Sequence, residues 1–351
     1  GWLVDKYGPR RVVTVGVFIM GLGLIFFGMT DSLWMYYASN IVIALGTGLQ
    51  GLLVMSVAIN HWFRRKRTLA QSLFLLGFSM AGVVGIPILV LVQMNMGWQT
   101  SAIGSGLLVW AAGFPAAQLL RTSPEPYGLQ PDGDKLDADI TPESTDNGKA
   151  EDYDFTLREA LHTRAFWLVA SGWAVGNLGM GAAQVHLYLH LEQGLGLAGI
   201  TAALVWTVAS IANVPSRILG GYFGDKVPKN LLIGGATISV AIAIFVLGIA
   251  NNLQMAMVYA VLYGIGWGIR TPVMNAMQGE YFGRKSQGVI RGWLQSFTLP
   301  LTIAGPILVG YIADIQGTYR NAFMGLSFIT LAGAGLIFLA ARPKPPLNPE
   351  R

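Results

Sequence analysis

Two arginines lie where charge is costly. Arg217 stands eight residues before Asp225, about 12 Å along a helix at 1.5 Å per residue. Arg270 stands ten residues before Glu280, about 15 Å by the same rise. Each falls near the middle of a long apolar stretch, where an arginine costs roughly 2.5–3.5 kcal/mol on insertion scales. No Asp or Glu lies in the middle of any apolar stretch of the chain. Guanidinium groups in such surroundings favour an anionic guest that supplies the missing charge, and the planar fork of arginine suits a carboxylate. The alternative is that each arginine donates to backbone carbonyls, or to a carboxylate on helices preceding Gly1. Asn213 lies one turn before Arg217 on the same face. Tyr263, Trp267 and Met274 stand at i−7, i−3 and i+4 of Arg270. They read either as a cavity lining or as packing with a cation–π contact.

Other polar side chains fall on stripes. Gln295, Thr298 and Thr302 share a face at i, i+3 and i+7, and Asn177 and Gln184 share one in the apolar stretch 166–189. Such stripes in membrane helices more often serve helix–helix contact than a solute. Gln295 and Thr298 are nevertheless carried as substrate-binding candidates with Arg217, Arg270 and Asn213. His186 and His190 are an i, i+4 pair without a third metal ligand in sequence, so the expectation is packing at a helix end, with a pH-sensitive gate as the alternative. No stretch carries the paired acid and base of general catalysis. With no cysteine in the chain, thiolate metal sites, Cys nucleophiles and disulfides are excluded. No enzyme activity, metal or cofactor is expected.

A second group of charges sits between apolar stretches. The opening segment GWLVDKYGPRR holds Asp5, Lys6, Arg10 and Arg11, and a weaker copy runs from Gly221 through Asp225 to Lys229, 220 positions later. Further landmarks repeat in the same order. Gly46-x-Gly48 matches Gly266-x-Gly268, Trp62-Phe63-Arg64-Arg65-Lys66 matches Tyr281-Phe282-Gly283-Arg284-Lys285, and Pro87-Ile88-Leu89 matches Pro306-Ile307-Leu308. The chain therefore reads as a duplication. Each motif aspartate is expected at a helix end near the start of a span from the other copy, where exposed N–H groups and the helix dipole stabilise a carboxylate.

The elements that must position these residues are membrane helices. Of 351 residues, 53% are hydrophobic and only 12% charged, against roughly a quarter charged in soluble domains. Ten stretches are long enough to cross a bilayer about 30 Å thick: 12–29, 34–57, 68–93, 98–120, 166–189, 198–222, 231–250, 253–277, 288–313 and 322–341. Alternate connectors are nearly free of Lys and Arg, whereas the others carry clusters such as Arg64-Arg65-Lys66-Arg67. By the positive-inside rule the opening motif, the middle loop and the C-terminus face the cytoplasm. The net charge of +5 is thus a topology signal rather than a nucleic-acid footprint. Residues 121–164 hold 11 of the 18 acidic residues and read as a solvated linker closing with a short helix, Thr156 and Glu159 forming a capping box. Domains are expected at 1–120, 165–342 and a tail at 343–351. Because Gly1 falls inside a motif, about one helix and most of a second are expected to precede it.

The spacing G-x-L-x-D-x-x-G-x-R-R resembles the signature loop between the second and third helices of the major facilitator superfamily of secondary transporters. His61 to Ala70, Pro124 to Gly133, Phe155 to Leu161 with Phe166-Trp167, and Glu280 to Lys285 look like its monocarboxylate and oxalate:formate transporter branch. The resemblance implies an all-α integral membrane protein of two parallel six-helix halves in the cell (inner) membrane. It implies a transporter of small organic anions, working by alternating access with proton symport or anion exchange. It also assigns Asn213-x-x-x-Arg217 to the substrate-binding arginine of the eighth helix. Asp5 and Asp225, with Lys6, Arg10 and Arg11, would hold the cytoplasmic side shut in one state. One departure matters: oxalate:formate exchangers carry a lysine in the eleventh helix where Thr298 stands here, which argues against a small dianion. Drug efflux and a non-transporting receptor are the competing readings.

Overall fold

The computed structural model describes residues 2–133, 153–197, 199–283 and 286–345. Gly1 of the opening motif, residues 134–152 of the linker, Ala198, the Arg284-Lys285 pair and residues 346–351 of the tail lie outside them. Among the described residues the architecture is all-helical, with α1 Trp2–Tyr7, α2 Pro9–Gly28, α3 Leu33–Gln50, α4 Leu52–Trp62 and α5 Arg67–Leu119 in the first copy of the repeat. The short α6 Leu157–His162 leads into α7 Arg164–Leu189, α8 Gly199–Gly224, α9 Lys229–Ile249, α10 Leu253–Phe282, α11 Gln287–Gln316 and α12 Arg320–Phe338. Each of the ten apolar stretches is matched by helix within a few residues.

Two boundaries differ from the sequence reading. The stretch 34–57 breaks at Gly51 into α3 and α4, although Leu33–Trp62 together retains the length and apolarity of a span. The loop expected at 94–98 shrinks to one residue, Gly97, whose φ of 82° and ψ of 163° interrupt α5. A straight helix of 53 residues would run about 80 Å, far beyond a bilayer. The chain instead doubles back, because Ser101 Oγ donates to the Leu89 carbonyl at 3.5 Å. Only glycine takes this φ without steric cost.

Side-chain caps open several of the other helices. Ser32, Thr163 and Asn252 each accept from the backbone N–H three residues on. Thr156 and Glu159 form the reciprocal capping box that opens α6.

Among the described residues, six helical segments are long and apolar enough to cross a membrane: Pro9–Gly28, Leu33–Trp62, Val92–Leu119, Lys229–Ile249, Gln287–Gln316 and Arg320–Phe338. α7, α8 and α10 match them in length, at 26, 26 and 30 residues. They are also the helices that carry Asn177, Asn213 with Arg217, and Arg270. On α11, Ile303, Ile307, Tyr311 and Ile315 follow one another at four-residue steps and are all exposed. A stripe of large apolar side chains turned outward is unfavourable in water and suits lipid.

The chain forms two compact units. The first comprises Gly1–Arg65, Gly77–Asp154 and Arg284–Gly292; the second comprises Lys66–Leu76, Phe155–Gly283 and Trp293–Arg351. The start of α5 thus belongs to the unit built mostly from the second copy, and the start of α11 to the unit of the first. The core of the first unit gathers Val4, Val13, Val17, Val54, Val57 and Ala117. That of the second gathers Leu187, Val205, Val240, Ile244, Tyr259 and Phe323.

Candidate functional site

The helices carrying the two arginines touch backbone to backbone. A Cβ added at Gly264 would lie 2.3 Å from the Ala209 carbonyl oxygen, and one at Gly268 would lie 2.6 Å from that of Asn213. Small residues four apart let α10 lie directly on α8, as membrane helices commonly pack. Arg270 of α10 and Asn213 with Arg217 of α8 are thereby fixed in the second unit. All three side chains are buried.

Their surroundings differ. Arg217 donates from Nη1 to the backbone carbonyl of Leu75, in the start of α5. This is the carbonyl pairing that the sequence left open. Asn213 Nδ2 has no hydrogen-bond partner among the described residues. Arg270 is fully buried at 0% exposure. Its Cζ lies 4.3 Å from the ring centroid of Trp173, and its Nη1 donates to Asn177 Oδ1 and Met180 Sδ, each at 3.4 Å. Nε and Nη2 have no hydrogen-bond partner among the described residues. The cation–π contact comes from α7, whereas Trp267 packs in tilted contacts with Trp206 and Tyr263. Asn177 therefore takes part in the arginine site.

The polar stripe on α11 is less engaged. Gln295 is exposed. Thr298 is buried and donates to the Leu294 carbonyl at 2.7 Å, and Thr302 donates to that of Thr298 at 3.1 Å. Both hydroxyls thus bond back to their own helix. His186 and His190 face separate carbonyls, Pro306 O at 2.8 Å and Leu247 O at 3.0 Å, and both pack on Tyr319. Burial pushes the His190 imidazole below its ordinary value, and the Leu247 carbonyl works in the opposite direction.

The motif aspartates occupy equivalent places. Asp5 accepts from the backbone N–H groups of Gly288 at 3.0 Å and Val289 at 2.8 Å, in the first turn of α11. Asp225 accepts from Thr68 at 2.8 Å and Leu69 at 3.1 Å, in the first turn of α5. Donors and acceptors both repeat at the offset of 220, so each copy of the motif caps a helix of the other copy. Each carboxylate satisfies two of the N–H groups that a helix start leaves open. Burial raises the Asp5 carboxyl above its ordinary value, while the Val289 and Gly288 N–H groups pull it down.

The basic members of the motif do not join these contacts. Lys6 lies over the rings of Trp2 and Tyr7, at 4.6 and 5.3 Å from their centroids. Arg10 donates to Gln118 Oε1 through both Nε and Nη2, and Arg11 is exposed. Lys229, from the second copy, pairs with Glu280 at the end of α10. Two residues escaped the sequence reading. Arg291, five residues into α11, is buried and donates to Ser56 Oγ of α4. Its closeness to the Arg284-Lys285 cluster disguised it as a loop charge. Trp173 was also missed, although it lies one turn before Asn177 on α7.

Comparisons with known proteins converge on this architecture. The family description Major Facilitator Superfamily matches residues 1–298 and 227–351. Monocarboxylate transporter 13 of Rattus norvegicus is 27% identical over 346 residues, covering 95% of this chain and 74% of that protein. The oxalate:formate antiporter of Oxalobacter formigenes is 24% identical over 327 residues, covering 92% and 73%. Among solved structures, the E. coli fucose:proton symporter superposes with a TM-score of 0.73 at 12% identity, over 98% of this chain and 86% of that one. The human organic anion transporter MFSD10 gives 0.70, also at 12% identity, over 95% and 78%. With the duplicated motif capping helices across the repeat and a family match that spans its length, the chain is a multi-pass membrane transporter that belongs to the major facilitator superfamily.

Proposed function

We propose that this transporter moves small organic anions, monocarboxylates foremost, by alternating access, coupled to protons or to exchange of a second anion. The observation that carries the reading is the buried Arg270 guanidinium, which has no carboxylate partner among the described residues. A cation held by neutral groups attracts an anionic solute and repels a cationic one. Arg217 and Asn213 on the adjoining helix are assigned to the same substrate path, as are Gln295 and Thr298 of α11. The names of the relatives, transporters of monocarboxylates and of oxalate and formate, support the same substrate class. The Lys and Arg asymmetry of the connectors supports a C-terminus on the cytoplasmic side of the cell membrane.

The motif aspartates are assigned to gating. Asp5 and Asp225 stabilise the starts of α11 and α5 in this conformation, and withdrawing them would free four backbone N–H groups. Lys6, Arg10 and Arg11 set the electrostatics of the same face. Alternating access would open the arginine-bearing helices to each side of the membrane in turn.

Counterflow into proteoliposomes with labelled lactate, pyruvate, formate, oxalate and a cationic drug tests the substrate class. Uptake of a monocarboxylate that is lost in Arg217→Gln is the expected outcome. Movement of the drug with no movement of the acids would overturn the anion assignment.

A further inference from the structure

The arginine site has a chemical direction. A guanidinium presents two bidentate edges, Nη1 with Nη2 and, side-on, Nε with Nη2. In Arg270 the Nη1 corner is engaged by Asn177 and Met180, and a face is covered by Trp173. The two nitrogens without a protein partner, Nε and Nη2, are the pair that forms the side-on edge. Arg217 and Arg291 offer no such selection, because each directs Nη1 to an oxygen of another helix, Leu75 O and Ser56 Oγ respectively.

α7 holds this arrangement in place. A Cβ at Gly176 would fall 2.2 Å from Nη2 and 3.0 Å from Cζ, so a side chain there would push the guanidinium from its present position. Trp173, Gly176, Asn177 and Met180 lie at helical spacing on one face of α7, and each lies against the group. An unmet buried donor is costly, and more so on a charged group. A ligand that satisfies both at once therefore binds with a large advantage over water-like neutral guests.

We propose that Arg270 is the carboxylate receptor of the transport cycle, taking one planar carboxylate side-on through Nε and Nη2. Trp173, Gly176 and Asn177 are the positioning residues that orient that edge. The inference rests on the anion-transport reading and sharpens it. The groups around the guanidinium, Trp173, Asn177, Met180 and the Tyr263 hydroxyl on Met180 O, are all neutral. None of these four is a cation for a second carboxylate, Arg217 of α8 directing its Nη1 to the Leu75 carbonyl instead, and they offer apolar surface to a short carbon chain. The preferred ligand is a small monocarboxylate.

The test is counterflow of lactate and pyruvate, with succinate as the dicarboxylate probe, in wild type, Arg270→Lys, Gly176→Ala and Trp173→Leu. Size-exclusion profiles and thermal unfolding check folding. Lysine keeps the charge but loses the planar fork, so Arg270→Lys should raise half-saturation for lactate about tenfold to a hundredfold. Trp173→Leu should raise half-saturation several-fold with the maximal rate nearly unchanged, a split that general loss of packing would not produce. Wild type should favour lactate over succinate. Folded Arg270→Lys and Trp173→Leu proteins with wild-type half-saturation would overturn the receptor assignment while leaving anion transport intact. A wild type that moves none of the acids would overturn both. Should Gly176→Ala not fold, Arg270→Lys and Trp173→Leu still decide.

Discussion

At the scale of single residues, three buried arginines of this protein direct hydrogen bonds to neutral groups. Arg270 rests on an indole, an amide and a thioether, Arg217 reaches a backbone carbonyl, and Arg291 reaches a serine hydroxyl. Removing a buried ion-pair partner typically costs several kcal/mol, whereas neutral donors and acceptors keep the charge open to a transient guest. His190 is the opposite case, a titratable group kept neutral. Its pKa in the folded protein is depressed from the ordinary 6.5 by burial, with Tyr319 and Phe323 packed on the ring, and the Leu247 carbonyl works against that shift. The neutral form therefore contributes stability that is present above pH 6.5 and is lost as pH falls through the lower folded value. Thermal unfolding between pH 8 and pH 5 should show wild type losing stability toward acid more steeply than His190→Gln. Parallel curves would remove His190 as a pH-sensitive group.

At the scale of elements, the repeated loop acts as a helix cap delivered from a distance. Asp225→Ala leaves the N–H groups of Thr68 and Leu69 without their carboxylate and should destabilise the start of α5 by about 1–2 kcal/mol. Hydrogen exchange at these two amides should quicken while exchange in α9 stays unchanged. Asp5→Ala should act likewise on Gly288 and Val289. Asp5 adds a pH dependence whose sign is set by its raised carboxyl. The protonated form is favoured in the folded state, so its contribution is fully present below the ordinary value of 3.8 and is lost as pH rises through the raised folded value. Stability of wild type relative to Asp5→Asn should therefore increase as pH falls through that window. The opposite slope would show that the N–H groups outweigh burial.

At the scale of the whole molecule, charge placement and repeat symmetry describe one membrane protein. The chain has no cysteine, so single cysteines report sidedness without background. Ser32→Cys lies in a connector without Lys or Arg, and Ser123→Cys lies just after Arg121. A membrane-impermeant maleimide should label Ser32→Cys from outside intact cells and Ser123→Cys only after the membrane is opened. Labelling of Ser123→Cys in intact cells would invert the orientation argued from the basic loops.

The features that were legible in the sequence are those with local or periodic causes. Apolar stretches placed the helices because a bilayer demands about 20 such residues in a row. The Thr156–Glu159 box opened α6 as expected, because its partners are three residues apart. The duplicated motif pointed to helix capping by Asp5 and Asp225, since a repeat carries its geometry with it. Tertiary structure alone decided which surfaces met. Trp173 lies 97 residues from Arg270, and nothing in the local pattern marks the indole that covers the guanidinium. Arg291 hid beside a loop cluster until Ser56, 235 residues away, came within reach. The one-residue reversal at Gly97 likewise depends on the close approach of Leu89 and Ser101 across it. Hydrophobicity and capping act along the chain and leave a signature there. The direction in which a buried charge points is set by whichever neighbours the packing of several helices brings around it.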